Sequence, residues 1–240
     1  MKSRIRENPA VVTALYVQDT RDDPRMRDLI ASAGRAGVRV MAVDRLRLDR
    51  LAGGQARHQG VVASVSVNAT SPDLDDVLAA LSEPALLLVL DGVQDPHNLG
   101  ACLRVADGLG AHAVIAPKDR SVGLTPTVAK VASGASETVP YVAVTNLART
   151  LRSLQDRGIW IVGADAAGAT LLADADLGGA MAWVMGAEGE GLRRLTRETC
   201  DELVRIPMVG AVESLNVSVA SGICLYESRR HRALRETPPR

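Results

Sequence analysis

Phenylalanine is absent from the 240 residues, and aromatic side chains of all kinds make up only 2%. That scarcity argues against a sheet that stacks bases on an aromatic platform. Cysteine occurs three times, at Cys102, Cys200 and Cys224, an odd number without a Cys-x-x-Cys pair. Neither a disulfide scaffold nor a cysteine zinc site suits that pattern, whereas a reducing cytoplasm does. The four histidines are scattered with no His-x-x-x-His spacing, so no metal is expected. Long apolar runs are missing too. Ala85 to Leu90 is among the longest, far short of the roughly 20 residues that span a bilayer. Met1-Lys2-Ser3-Arg4-Ile5-Arg6 carries no apolar leader core, so neither a secretory signal nor a membrane partner is expected.

What remains is an ordinary globular composition, 47% apolar and 23% charged. Basic and acidic residues balance at 28 each, but unevenly along the chain. Residues 1–70 hold 12 bases against 7 acids, residues 71–84 hold 4 acids and no base, and residues 85–240 hold 16 bases against 17 acids. The front of the chain is thus modestly basic. Of the bases, 25 are Arg and 3 are Lys. Arginine suits bidentate phosphate contacts, although a coding bias toward arginine explains the count equally well.

Residues 1–67 alternate between strand and helix signals. Strands are expected at Ala14–Val17, Val38–Val43 and Gly60–Val67, and helices at Pro24–Gly34 and Asp44–Leu51. This reads as a small α/β module. Residues 68–84 read as a linker with a short acidic helical stretch, Asp73–Leu81. From residue 85 the pattern restarts. Ala85 to Leu90 is a continuous apolar run, as a strand covered on both faces of a parallel sheet requires. Further strands are expected at Ala113–Ala116, Val139–Val144, Ile159–Gly163, Met181–Met185 and Leu203–Ile206, with helices between them. Residues 85–240 therefore read as an open, mostly parallel α/β sheet. The Arg-rich tail from Arg229 is expected to fray.

Three segments carry chemistry. In the first, Leu90 through Arg104, a buried strand ends, a turn follows and a helix opens. Asn98 is expected as the N-cap, with Leu99, Cys102, Leu103 and Ala106 as the core stripe and Arg104 off it. An arginine one turn into such a helix can meet a phosphate or a developing oxyanion, or simply be solvated. The second, Gly186-Ala187-Glu188-Gly189-Glu190-Gly191, is a glycine loop after a strand, where backbone can approach a nucleotide-like ligand closely. Its spacing is not that of the dinucleotide loop. Glu188 there serves as a hydrogen-bonding carboxylate or as a helix-capping acid. In the third, Ile206 through Gly222, Pro207 and Gly210 break a strand. Ser214 is expected to cap a helix whose first turn holds Asn216 and Ser218, and whose small residues Ala220, Ser221 and Gly222 permit close packing.

In this order and at these spacings the segments resemble the signature motifs of the SPOUT methyltransferases, in the SpoU/TrmH branch of RNA ribose 2′-O-methyltransferases. The matches are Asn98-x-Gly100-x-x-x-Arg104, Gly186-x-Glu188-Gly189-x-Gly191, and Ile206-Pro207 with Ser214-Leu215-Asn216-Val217-Ser218. Within the branch the chain is most similar to the subfamily acting on a guanosine of bacterial large-subunit ribosomal RNA. The front module, including His58-Gln59-Gly60, resembles the family's substrate-binding domain, although the usual Gly-x-His-Ala-Val opening is not visible in residues 1–13.

The resemblance implies a deep trefoil knot near the carboxyl end, S-adenosylmethionine as cofactor, ribosomal RNA as partner and a homodimer. It assigns cofactor contacts to Gly186, Ile206, Leu215, Ser214 and Ser218, largely through backbone. It assigns catalysis to Arg104, with Asn98 and Glu188 orienting it and Asn216 positioning cofactor or ribose. Three rivals stand beside this. A nucleotide oxidoreductase needs a Gly-x-Gly-x-x-Gly loop after an early strand, which the chain lacks. A non-catalytic RNA adaptor is opposed by the retained Asn98, Arg104, Glu188 and Asn216. A sibling acting on transfer RNA or another ribosomal site is not separated by the motifs, because target choice resides elsewhere on the fold.

Overall fold

The computed structural model describes residues 12–53, 58–65 and 72–236. The opening of the chain, the end of the third expected strand, the start of the expected linker and residues 237–240 lie outside them. The chain forms two compact units, Met1–Thr70 and Ser71–Arg240.

In the first unit, β1 (Val12–Gln18) pairs in parallel with β2 (Arg39–Val43) and antiparallel with β3 (Val61–Val65). Helix α1 (Pro24–Arg35) connects β1 to β2. Asp23 accepts hydrogen bonds from the amides of Arg25 and Met26 at 3.1 and 3.0 Å, and Pro24 takes the first helical position. Met26 and Ala33 are the buried apolar residues of that helix and cluster with Leu15 and Val17 of β1. Helix α2 (Arg45–Leu51) buries Leu48. His58 Nδ1 accepts from the Gly60 amide at 3.0 Å, so its Nε2–H donates to Asp49 at 2.9 Å.

The second unit is a seven-stranded sheet with every neighbouring pair parallel, in the order β6-β5-β4-β9-β7-β10-β8. These strands are β4 (Leu86–Asp91), β5 (Ala113–Pro117), β6 (Tyr141–Val144), β7 (Trp160–Ala164), β8 (Thr170–Leu171), β9 (Met181–Gly186) and β10 (Glu202–Arg205). Its helices are α3 (Leu74–Ala79), α4 (Pro96–Gly108), α5 (Pro126–Ala132), α6 (Ala135–Thr138), α7 (Leu147–Gln155), α8 (Arg194–Thr199) and α9 (Val217–Glu236). Strand β4 sits near the middle, with all six residues buried. Leu86, Leu88 and Leu90 face one core with Leu99, Cys102, Leu103 and Leu225. Leu87 and Val89 face the other with Leu147, Leu151 and Leu154. Alternation along a strand thus serves two helical layers, which is why the run is apolar throughout.

The acidic stretch expected as linker carries α3, whose Leu74, Val77 and Leu78 pack against the second of these cores. The tail departs from expectation. From Arg229 it continues α9 to Glu236 instead of fraying. Trp183 Nε1 donates to Ser228 at 2.8 Å. Arg229 Nε donates to the Leu109 carbonyl at 2.8 Å, and Arg232, only 7% exposed, donates to the carbonyls of Pro84, Ala85 and Gly179, each at 2.8 Å. Arginine-rich sequence looks like a solvated end, but a guanidinium offers five donors and can satisfy strand-end carbonyls that a helix would otherwise cover.

Candidate active site

In an open parallel sheet, ligands gather beyond the carboxyl ends of the strands. Here β4 and β9 end side by side, with Asp91 in register opposite Gly186. Asp91 is fully buried and accepts a hydrogen bond from the Arg193 amide at 3.1 Å and an ion pair from the Arg193 guanidinium. The glycine loop lies between these anchors. Ala187 and Gly191 exchange backbone hydrogen bonds of 3.1 and 2.9 Å, with Gly189 and Gly191 at φ of 80° and 68°. A side chain at Gly186 would come within 2.1 Å of the Gly191 carbonyl carbon, so the turn closes only over glycine. Sequence reading missed the Asp91–Arg193 pair. Its signal was an acid closing an otherwise wholly apolar strand.

The start of α4 differs from expectation. Asp95, not Asn98, is the N-cap, accepting from the His97 amide at 2.9 Å ahead of Pro96. Proline fits the first helical position, so the cap must precede it. The Asn98 side chain is thereby freed. Its Nδ2 donates to Glu188 at 3.1 Å, and its Oδ1 accepts from Asn216 Nδ2 at 2.8 Å. Asn216 Oδ1 in turn accepts from the Ser218 amide at 2.9 Å and hydroxyl at 2.7 Å. Asn216 therefore caps α9, in place of Ser214, which is exposed. The chain of donors runs one way, from Ser218 through Asn216 and Asn98 to Glu188, because an ionised carboxylate can only accept. It stitches together all three motif segments.

Gly100 has a different task. A side chain there would come within 2.6 Å of Val131 Cβ and 2.9 Å of the Val128 carbonyl, so glycine lets α4 and α5 touch. Ser221 turns inward, donating to the Val217 carbonyl at 2.7 Å beside Cys102, while a side chain built at Gly222 would lie 3.5 Å from Val105 Cγ1. Arg104 lies on α4, exposed and joined to none of these groups. Its side chain makes no hydrogen bond or ion pair with another described residue. Ile206 and Leu215 are half-buried at the two ends of an irregular segment. Between them, the backbone of residues 207–215 makes no hydrogen bond with another described residue. Among the described residues, no three His, Cys, Asp or Glu side chains cluster as metal ligands would.

A sequence profile of the SpoU rRNA methylase family matches residues 85–226. The chain belongs to the SpoU rRNA methylase family. Residues 2–69 of this SpoU methylase match the profile for RNA 2′-O ribose methyltransferase substrate binding. It is 59% identical over 232 residues to the 23S rRNA (guanosine-2′-O-)-methyltransferase RlmB of Ralstonia nicotianae, covering 97% of this chain and 93% of that one. It is 58% identical over 230 residues to the RlmB of Bordetella pertussis, covering 96% and 94%. Among solved structures, the SpoU methyltransferase AviRb from Streptomyces viridochromogenes, crystallised in complex with the cofactor AdoMet, superposes with a TM-score of 0.78 at 27% identity, covering 93% of this chain and 84% of that one.

Proposed function

We propose that this SpoU methylase transfers a methyl group from S-adenosylmethionine to the ribose 2′-hydroxyl of a guanosine in 23S ribosomal RNA. The observation that carries the reading is the hydrogen-bonded chain Ser218–Asn216–Asn98–Glu188, which joins the three motif segments at the carboxyl end of the sheet. The names of the 58–59% identical relatives supply the guanosine and the ribosomal RNA, and favour them over transfer RNA or another site.

The residues suit the cofactor. The backbone of residues 207–215 leaves amides and carbonyls available to an adenine edge and to the amino-acid end, flanked by half-buried Ile206 and Leu215. In this reading Gly186, Ile206, Leu215, Ser214 and Ser218 hold the cofactor. Bound S-adenosylmethionine supplies an electrophilic methyl group on a sulfonium. The protein must align the ribose oxygen with that methyl and stabilise the charge that develops as the hydroxyl proton leaves. Arginine stays protonated, so Arg104 acts through its fork of donors, not as a base. The proton departs to water or a phosphate. Asn98, Glu188 and Asn216 hold the surrounding loops in one arrangement.

In the same reading, residues 1–67 form the RNA-substrate-binding module, with exposed Arg25, Arg39, Arg45, Arg47 and Arg50 available to phosphates, and 85–240 the methyltransferase domain, while the expected linker 68–84 carries α3 packed on that domain's core. A knot is supported by strand order: β9 enters between β4 and β7, and β10 between β7 and β8. A homodimer is supported by an apolar groove of about 400 Å³ between α4 and α9, lined by Val105, Val219, Gly222, Ile223 and Tyr226. Val219 and Tyr226 are more than half exposed there, at 51% and 59%. The cellular site is the cytoplasm, where the substrate is made.

Mapping ribose methyl groups on ribosomal and transfer RNA from cells with and without the gene tests the reading. One 23S guanosine is expected to lose its 2′-O-methyl group. An unchanged 23S map, or a loss confined to transfer RNA, overturns it.

A further inference from the structure

Most basic side chains of the second unit are engaged. Arg157, Arg193, Arg194, Arg197, Arg229, Arg230 and Arg235 each pair with a carboxylate, and Arg205 and Arg232 bind carbonyls. Arg104, Lys118, Arg120, Lys130, Arg149 and Arg152 break that habit, and of these Lys118 and Arg120 stand two positions apart on one turn. Both are exposed, and neither makes a side-chain hydrogen bond or ion pair with another described residue. They flank Asp119, also exposed, on the turn that follows β5.

The turn is held firmly. The Lys118 amide donates to the Val144 carbonyl at 2.8 Å and the Val122 amide to the Val93 carbonyl at 3.0 Å, while the Tyr141 hydroxyl donates to the Val122 carbonyl at 3.1 Å. It also carries two local costs. Arg120 sits at φ 58°, a left-handed conformation that bulky residues rarely adopt. The Ser121 hydroxyl is buried without a hydrogen-bond partner among the described residues. Such costs concentrate where structure serves binding rather than stability.

Its position is the decisive point. A side chain built at Gly92, just past β4, would lie 3.7 Å from Ala187 Cβ and 3.9 Å from the Arg120 carbonyl. The turn therefore borders the loop that carries Glu188, at the same carboxyl edge of the sheet. A rigid turn offering two unpaired cations there matches the backbone of a polyanion threaded past the site.

We propose that the Lys118–Ser121 turn grips a phosphate of the substrate RNA next to the ribose being methylated. The proposal rests on the RNA methyltransferase reading above. The test uses the full chain with Lys118→Ser and Arg120→Gly combined. Glycine at that φ relieves strain, so the variant should melt no lower than the wild type. Anisotropy titrations of a 23S fragment containing the target guanosine, repeated over a salt series, should give a Kd raised roughly tenfold or more and a log–log salt slope shallower by about 1.5. Lys118→Arg should leave both close to wild type. S-adenosylmethionine affinity, read by calorimetry, should not move. An RNA Kd and salt slope equal to wild type overturn the proposal. So does a loss of S-adenosylmethionine affinity in their place, which would mean that the turn holds the donor's carboxylate. Failure of the underlying reading is distinguishable: the wild-type protein itself would then transfer no methyl group to RNA, and this proposal would fall with it.

Discussion

Asn216 Nδ2 donates to Asn98 Oδ1 at 2.8 Å, joining the starts of two helices 118 residues apart in the chain. Because Asn98 also donates to Glu188, it must present an oxygen to one neighbour and an amino group to the other. Only an amide does both. Asn98→Asp places a carboxylate against Glu188 and removes the donor. Single-turnover methylation with RNA and S-adenosylmethionine saturating should slow about 100-fold, the scale of a 1 Å misalignment at a reacting centre. A rate within twofold of wild type would show that the hydrogen-bonded chain does not govern alignment.

Arg104 is the exposed, unpaired cation on the same helix. Arg104→Lys keeps the charge and loses the planar fork. If the fork positions the oxyanion, the single-turnover rate falls at least about tenfold while affinity for S-adenosylmethionine holds. A near-wild-type rate contradicts the fork.

Arg232 supplies three hydrogen bonds to carbonyls just ahead of the neighbouring strands β4 and β9. Arg232→Ala removes all three bonds, leaving Ala85 only the Met181 amide and Pro84 and Gly179 without that donor, at a cost of about 3 kcal/mol. For a chain of this length that lowers Tm by roughly 6–12 °C. Differential scanning calorimetry reads it, and a shift under about 1 °C would mean that the contacts are idle.

Burial pushes the thiols of Cys102, Cys200 and Cys224 up to about 12, and Cys200 also faces Asp201, Asp91 and Asp165. A raised acid pKa means that the neutral thiol is the folded form. Its stability contribution is intact below the ordinary thiol value of about 8.5, and drains away as pH rises from there toward 12. At pH 8 the folded protein should react slowly with a disulfide reagent, and all three thiols should react promptly in denaturant. Rapid folded-state labelling would show that one is accessible as thiolate.

Much of this was written in local pattern. The run Leu86–Leu90 announces a strand covered on both faces, and the structure divides it between two cores. The Met26 and Ala33 spacing gives α1 its buried side. The cap of α4 was misread because Asp95 and Asn98 are both good caps, and only the fixed geometry of Pro96 chooses between them. The partnership of Asp91 with Arg193 and the contacts of Arg232 with Pro84 and Ala85 were missed for another reason. They join residues more than 100 positions apart, and no periodicity encodes which strands become neighbours. The Glu188–Asn98–Asn216 chain spans comparable separations, 90 and 118 positions, but its members were named in advance because motif residues can be recognised without knowing how they meet.

The grip of Arg232 on Pro84 and Ala85 has a bearing on biosynthesis. The residues that open the sheet unit are secured by a side chain made 147 to 148 positions later. While Arg232 is still inside the ribosomal exit tunnel, β4 has no clasp. Completion of the unit thus waits for the end of α9 to emerge, and β4 spends most of its synthesis without that hold.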